Sequence, residues 1–283
     1  MIVSIGSVCL QADKLMIMIP LLAASVILIA TTHGIETASP RPPARVPKNL
    51  AVVANKSCDK PIIDTCATTL FVFGRRDVYL PQNFDEMVPH CQEEFDAEDC
   101  IKNYARRCLP PFERQVAGML ILGAGQVLRK RCGKEGTREY LSHYKCIKKT
   151  IPSLHDTMDQ LIYTLMSVSQ DKIGDDLKIP ISCCAFARFL VTATKIVRLG
   201  CADFDPKAEE YIAVKMIKGY VNDVLDLSCQ GYEVNSDKCA KINLPAGGFE
   251  WRNNSFVKIQ GAKLPPKKPN SVVLPFLDIF TNL

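Results

Sequence analysis

Thirteen cysteines in 283 residues restrict this chain more than any other feature. One of them, Cys9, lies ahead of an uncharged apolar run, Leu15 to Ala30 (LMIMIPLLAASVILIA), which follows Lys14 and gives way to small and polar residues through Gly34. That is the layout of a secretory signal. The run is sixteen residues long, short of the roughly twenty that a membrane-crossing helix needs. Residues 1–34 are therefore read as a cleaved signal segment, with an uncleaved anchor as the alternative. Cleavage removes Cys9 and leaves Cys58, Cys66, Cys91, Cys100, Cys108, Cys132, Cys146, Cys183, Cys184, Cys201, Cys229 and Cys239, an even dozen. An even set behind a signal suits an oxidising compartment, where thiols pair, rather than a reducing cytosol. Six disulfides, their connectivity open, are expected in a secreted, extracellular protein. Zinc would call for pairs of the Cys-x2-Cys kind, and none occurs; no metal or cofactor is expected. The triplets at Asn55 and Asn253 are glycosylation acceptors in such a compartment.

Thr37 to Asn49 (TASPRPPARVPKN) carries four prolines and three basic residues. Such a composition favours a solvated, extended spacer, assigned to 35–49. Between 50 and 239, apolar residues recur at helical spacing, which predicts a cysteine-rich all-α domain. Asp99 to Leu109 reads as a helix with Cys100, Tyr104 and Cys108 on one face. Eight residues at 1.5 Å rise separate those cysteines by roughly 12 Å, too far for a disulfide, so each must reach another segment and staple the helix to two neighbours. Pro110-Pro111 ends it. Phe112 to Lys130 follows as a helix whose Gly118, Gly123 and Gly125 suggest close packing on another helix. Further helices are expected at Thr137–Lys149, from Pro152 as a first-turn residue through Leu154, Leu161 and Val168, at Cys183–Leu199, and after an Asp205 cap through Ile217, Val224 and Leu225. Thr69 to Val78 is the only stretch with much β character, and it could equally be a helix stopped by Gly74. Residues 240–283, rich in glycine and proline clusters and free of cysteine, read as an irregular, loosely attached tail. Its apolar end, SVVLPFLDIFTNL, suggests a lipid-anchor signal as a further alternative.

No catalytic motif is present. Gly-x-Ser-x-Gly, His-Glu-x-x-His, phosphate-loop and dinucleotide signatures are all missing. The vicinal pair Cys183-Cys184 is shared with secreted phospholipase A2, but here it continues as Ala185-Phe186-Ala187, and His155-Asp156 lies about thirty residues earlier. Two adjacent cysteines leave a helix in different directions, so they are expected to tie it to two different neighbours. The acid pairs Glu93-Glu94, Asp175-Asp176 and Glu209-Glu210 read as solvated surface. DKIGDD at 171–176 offers too few alternating oxygens for calcium.

Net charge is only +5, which does not point to nucleic acid. Its distribution is uneven. Asp85 to Asp99 holds seven acidic residues and no Lys or Arg, whereas Lys102 to Lys149 holds twelve basic residues against three acidic ones. Arg106-Arg107, Arg129-Lys130-Arg131 and Lys148-Lys149 either merge into a face for anionic glycans or are neutralised by the acidic block folding against them.

The pattern Cys100-Ile101-x2-Tyr104-x3-Cys108-Leu109, then Arg114, Cys132 and Tyr140-Leu141-x4-Cys146-Ile147, resembles secreted cysteine-rich helical proteins of arthropods. These are akin to insect haemolymph glycoproteins and to nematode extracellular cysteine-rich domains. The resemblance covers about Cys58 to Cys239 and implies an extracellular, disulfide-stapled helical domain without assigned catalytic residues. The expected role is thus non-enzymatic: binding or carriage, with an apolar small molecule seated among the helices at 154–168, 186–197 and 217–225. The alternative is interaction at a cell surface or matrix through a basic face or a membrane-attached end.

Overall fold

In the computed structural model the described residues are 58–71, 73, 76–170, 173–242, 248–252, 255–264 and 267–281; the expected signal segment at 1–34 and spacer at 35–49 lie outside them. Helices dominate: α1 (Lys60–Leu70), α2 (Phe84–Cys108), α3 (Pro111–Cys132), α4 (Lys134–Gln170), α5 (Asp175–Cys201), a π-helical segment α6 (Glu210–Lys218), α7 (Asn222–Ser228), α8 (Asp237–Lys241) and α9 (Val273–Thr281). One antiparallel hairpin, β1 (Phe249–Arg252) and β2 (Ser255–Lys258), pairs Phe249 with Lys258 and Trp251 with Phe256.

Local chemistry accounts for the helix ends. The Asn83 side chain accepts from the Glu86 N–H, and the Glu86 carboxylate returns to the Gln82 N–H. This reciprocal capping opens α2. Leu109 is extended, and Pro111 occupies the first turn of α3, where its missing N–H costs nothing. Pro152, expected to start a helix, instead lies inside α4. The buried stripe runs through it without a break, from Cys146 and Thr150 to Leu154, Met158, Leu161 and Leu165. Pro152 itself is solvent-facing, so water can take the carbonyl of Lys148 that it leaves unbonded. At 37 residues α4 spans roughly 55 Å and packs against α3, α5 and α9.

All twelve cysteines after the leader pair: Cys58–Cys108, Cys66–Cys100, Cys91–Cys132, Cys146–Cys201, Cys183–Cys229 and Cys184–Cys239. The adjacent Cys183 and Cys184 do reach two neighbours, the end of α7 and α8. Cys100 and Cys108 do not pair with each other, but both reach the same neighbour, α1 and its lead-in; the second neighbour of α2 is tied through Cys91 instead. Helix α5 is long and apolar enough to cross a membrane, yet 50% of that window is buried within the fold. Its cysteines at 183, 184 and 201 also bind it to three other segments.

The C-terminal residues differ most from expectation. Far from loose, α9 buries Val273, Leu277, Ile279 and Phe280 in the core. Its approach is held by the buried Asp64 of α1, whose carboxylate accepts from the Asn270 N–H at 2.8 Å, the Asn270 side chain at 3.1 Å and the Ser271 N–H at 2.9 Å. Lys60 pairs with Asp278 at 2.6 Å, and Lys268 with Asp159 at 2.8 Å. Trp251 of the hairpin lies 5.6 Å from the guanidinium of Arg188 on α5, which also donates to the Cys239 carbonyl. The apolarity that suggested an anchor is accounted for by this packing. Of Thr69–Val78, read as a strand or a helix, Thr69 and Leu70 form the end of α1, and none of its described residues is in a strand.

Helix α3 meets the α6–α7 junction through Gly123, where an added Cβ would lie 2.8 Å from the Tyr220 carbonyl oxygen and 3.2 Å from that of Gly219. Backbone cannot yield as a side-chain end can. Gly123→Ala is expected to cost about 1–3 kcal/mol, whereas Gly118→Ala, with nothing within 4 Å, is expected to gain up to about 1 kcal/mol from helix propensity. Denaturant unfolding of the two variants checks the pair; equal effects would contradict the close approach.

Candidate functional site

Beside the Gly123 contact, the last turn of α3, the first turns of α4, the π-helical segment and the start of α7 enclose a cleft of about 520 Å³. Gln126, Lys130, Arg131, Gly136, Glu139, Tyr211, Val214, Lys215, Lys218 and Asp223 are among its lining residues. The π turn is made where the Gly219 N–H bonds to the Val214 carbonyl, five residues back, at 3.1 Å. Such turns insert one residue into a helix and recur at functional sites. A Cβ at Gly219 would meet the Lys215 carbonyl oxygen first and then a methyl of Val127 on α3.

Two polar lining residues, Arg131 and Tyr211, are more than nine-tenths buried. Arg131 donates to Glu94 of α2, which is wholly buried, and lies 3.4 Å from the Tyr220 hydroxyl. Burial opposes the charge on Glu94, but the guanidinium and His90 outweigh it and hold the carboxyl below the usual range. Burial likewise opposes the charge on Arg131, and Glu94 more than offsets it, raising its pKa. His90 Nε2 is 3.2 Å from Glu94 Oε1 without hydrogen-bond alignment, so that oxygen remains unpartnered, as do Arg131 Nε and the hydroxyls of Tyr140 and Tyr211. Burial raises the pKa of Tyr140, Tyr211 and Tyr220, which keeps all three protonated at neutral pH. Glu94 thus departs from the expected solvated surface: Met87, Cys91, Glu94, Glu98 and Ile101 recur at spacings of four and three on the buried side of α2.

The acidic block does fold against the basic one. Glu98 pairs with Arg129 and Lys102, and Glu94 with Arg131. Lys145 and Lys149 lie over the Phe204 ring, and Lys148 over Tyr144. The acidic block thus neutralises Lys102, Arg129 and Arg131, whereas Arg106, Arg107 and Lys130 are exposed. Of the other acid pairs, Asp175 and Asp176 are exposed, and Glu209 is bonded to Arg198.

Asp205, expected to cap a helix, instead accepts or shares a proton with His143 Nδ1 at 2.8 Å, and His143 stacks on Tyr211 with ring centroids 4.7 Å apart. This train pins the π segment to α4. His143 is not among the residues lining the cleft or the apolar cavity. Asp205→Ala strands a buried imidazole nitrogen and is expected to cost about 1–3 kcal/mol; an unchanged midpoint in denaturant would show that water replaces the carboxylate freely. His155 is buried with Nε2 unpartnered, and burial lowers its pKa.

The helices at 154–168, 186–197 and 217–225 do converge, with Leu165, Phe186, Val221, Val224, Leu225 and, unexpectedly, Phe276 and Phe280 of α9 around an apolar cavity. Its volume is about 50 Å³, well below the roughly 300–1,000 Å³ of sites for drug-sized ligands. Cys91, Glu94 and Cys132 place potential metal ligands within 4.8 Å of one another, but the two sulfurs are joined in a disulfide and offer no thiolate. Asn55 and Asn253 lie outside the described residues. Compared with known proteins, the chain matches no family model, no curated protein and no solved structure.

Proposed function

We propose that this chain is a secreted, non-enzymatic binding protein that holds a small ligand in the cleft between α3, α4 and the π segment. One observation carries the reading: a concavity of about 520 Å³, within the range for small-molecule sites, with the buried Arg131 and Tyr211 in its wall. Six disulfides are typical of extracellular proteins, and the signal-like leader and the Asn55 and Asn253 acceptors accord with secretion and glycosylation. The resemblance to secreted cysteine-rich helical proteins of arthropods points the same way. The apolar seam is the weaker ligand site, because an acyl chain exceeds its volume.

Val214 is exposed on the cleft wall, so Val214→Trp fills the space with little demand on the core. Protein purified from the medium of secreting cells, denatured and examined by mass spectrometry, is expected to release one small molecule near stoichiometry, and the variant to release far less. Recovery of buffer components alone, or equal loading of the variant, would overturn the proposal.

A further inference from the structure

We infer that the ligand of the cleft carries an oxyanion, a sulfate, phosphate or carboxylate on a small molecule; this rests on the reading of the cleft as a ligand site. The lining brings four cationic residues, Lys130, Arg131, Lys215 and Lys218, against two anionic ones, Glu139 and Asp223. Part of that charge is spoken for. Arg131 is matched by Glu94, and Lys215 by Glu139 at 2.6 Å. Lys130 and Lys218 are exposed and have no ion-pair partner among the described residues. Asp223 sits in the first turn of α7, where the free amides of a helix start already favour a negative charge. The surplus at the mouth is therefore cationic.

Gly136, on the cleft wall, is in the first turn of the 37-residue α4, while Lys130 and Arg131 belong to the last turn of α3. The two helix ends carry partial charges of opposite sign, so the surplus rests on the side chains of Lys130 and Lys218. Concavity selects the source. A flat anionic bilayer cannot enter a cleft enclosed by three helices, whereas a small sulfated saccharide can.

Calorimetric titration of the full secreted chain with a fully sulfated heparin disaccharide, its unsulfated counterpart and inorganic phosphate tests this. The sulfated probe is expected to bind, the unsulfated one to bind at least about tenfold more weakly, and added salt to weaken the interaction. Lys130→Gln/Lys218→Gln is expected to reduce affinity for the sulfated probe by about tenfold with an unchanged melting temperature, and Val214→Trp to block it. Competition by phosphate assigns the site to the oxyanion alone, and its failure to compete assigns it to the sulfated sugar; both support the inference. Equal binding of the unsulfated probe, sensitive to Val214→Trp, would overturn the oxyanion while leaving the cleft as a ligand site. Sulfated-probe binding indifferent to every variant would overturn both, and no binding of any probe would overturn the oxyanion.

Discussion

Arg131→Met is expected to lower the free energy of unfolding by about 3–5 kcal/mol, read from guanidinium denaturation with the disulfides intact. The substitution leaves Glu94, with no exposed surface, as a charge facing only His90 and the unpartnered hydroxyls of its surroundings. Replacing both members, as in Glu94→Leu/Arg131→Met, removes the desolvated charges together and is expected to recover most of the loss. The pair has a pH signature as well. Because the folded pKa of Glu94 is depressed, its contribution is fully present above the unfolded value of about 4.3. It is lost as pH falls through the lower folded value. The wild type should therefore destabilise more steeply in acid than the double variant. A single variant within about 1 kcal/mol of wild type would place this ion pair among weak surface bridges and contradict its burial.

Removing the Cys146–Cys201 bridge with Cys146→Ala/Cys201→Ala is the second large effect. The bridge closes a sequence separation of 55 residues, and the chain-entropy relation puts its contribution at about 4 kcal/mol. Typical domains are stable by only about 5–15 kcal/mol. Both sulfurs are buried where α4 meets the end of α5, so truncation also leaves a small void. A marked drop in melting temperature is expected, together with hydrogen exchange that accelerates first in the last turns of α5. Unaltered melting would show that packing between α4 and α5 suffices without the covalent tie.

The helical architecture and the division of labour between Cys183 and Cys184 were legible because both follow from 3.6-residue periodicity. Glu94 and Arg131 were legible in the same way: Arg131 extends the stripe of Ala117, Leu120, Ala124 and Leu128. Adjacency to like charges concealed that spacing. The docking of α9 was beyond local reading. Val273, Leu277 and Phe280 do repeat as a helix, but the carboxylate that receives their lead-in, Asp64, lies 206 residues away from Asn270. The hairpin has a signal in the alternation of Phe249-Glu250-Trp251-Arg252 and Ser255-Phe256-Val257-Lys258 about Asn253-Asn254. The π segment has no such local signal: Tyr211, Ile212, Met216 and Ile217 repeat at spacings that an α-helix would also give.

The six bridges fall into two separate sets of overlapping loops, one spanning Cys58 to Cys132 and the other Cys146 to Cys239. A single peptide-bond break inside either set leaves the fragments joined on a non-reducing gel. Between the sets, only a break from 133 to 145 parts the chain. Lys130 and Arg131 belong to the first set, Tyr211 to Asp223 to the second, and Gly136 and Glu139 to the bare stretch between. The cleft therefore straddles the seam between two covalently closed halves, and an occupant bridging them would shield from proteases the stretch at which a nick separates one half from the other.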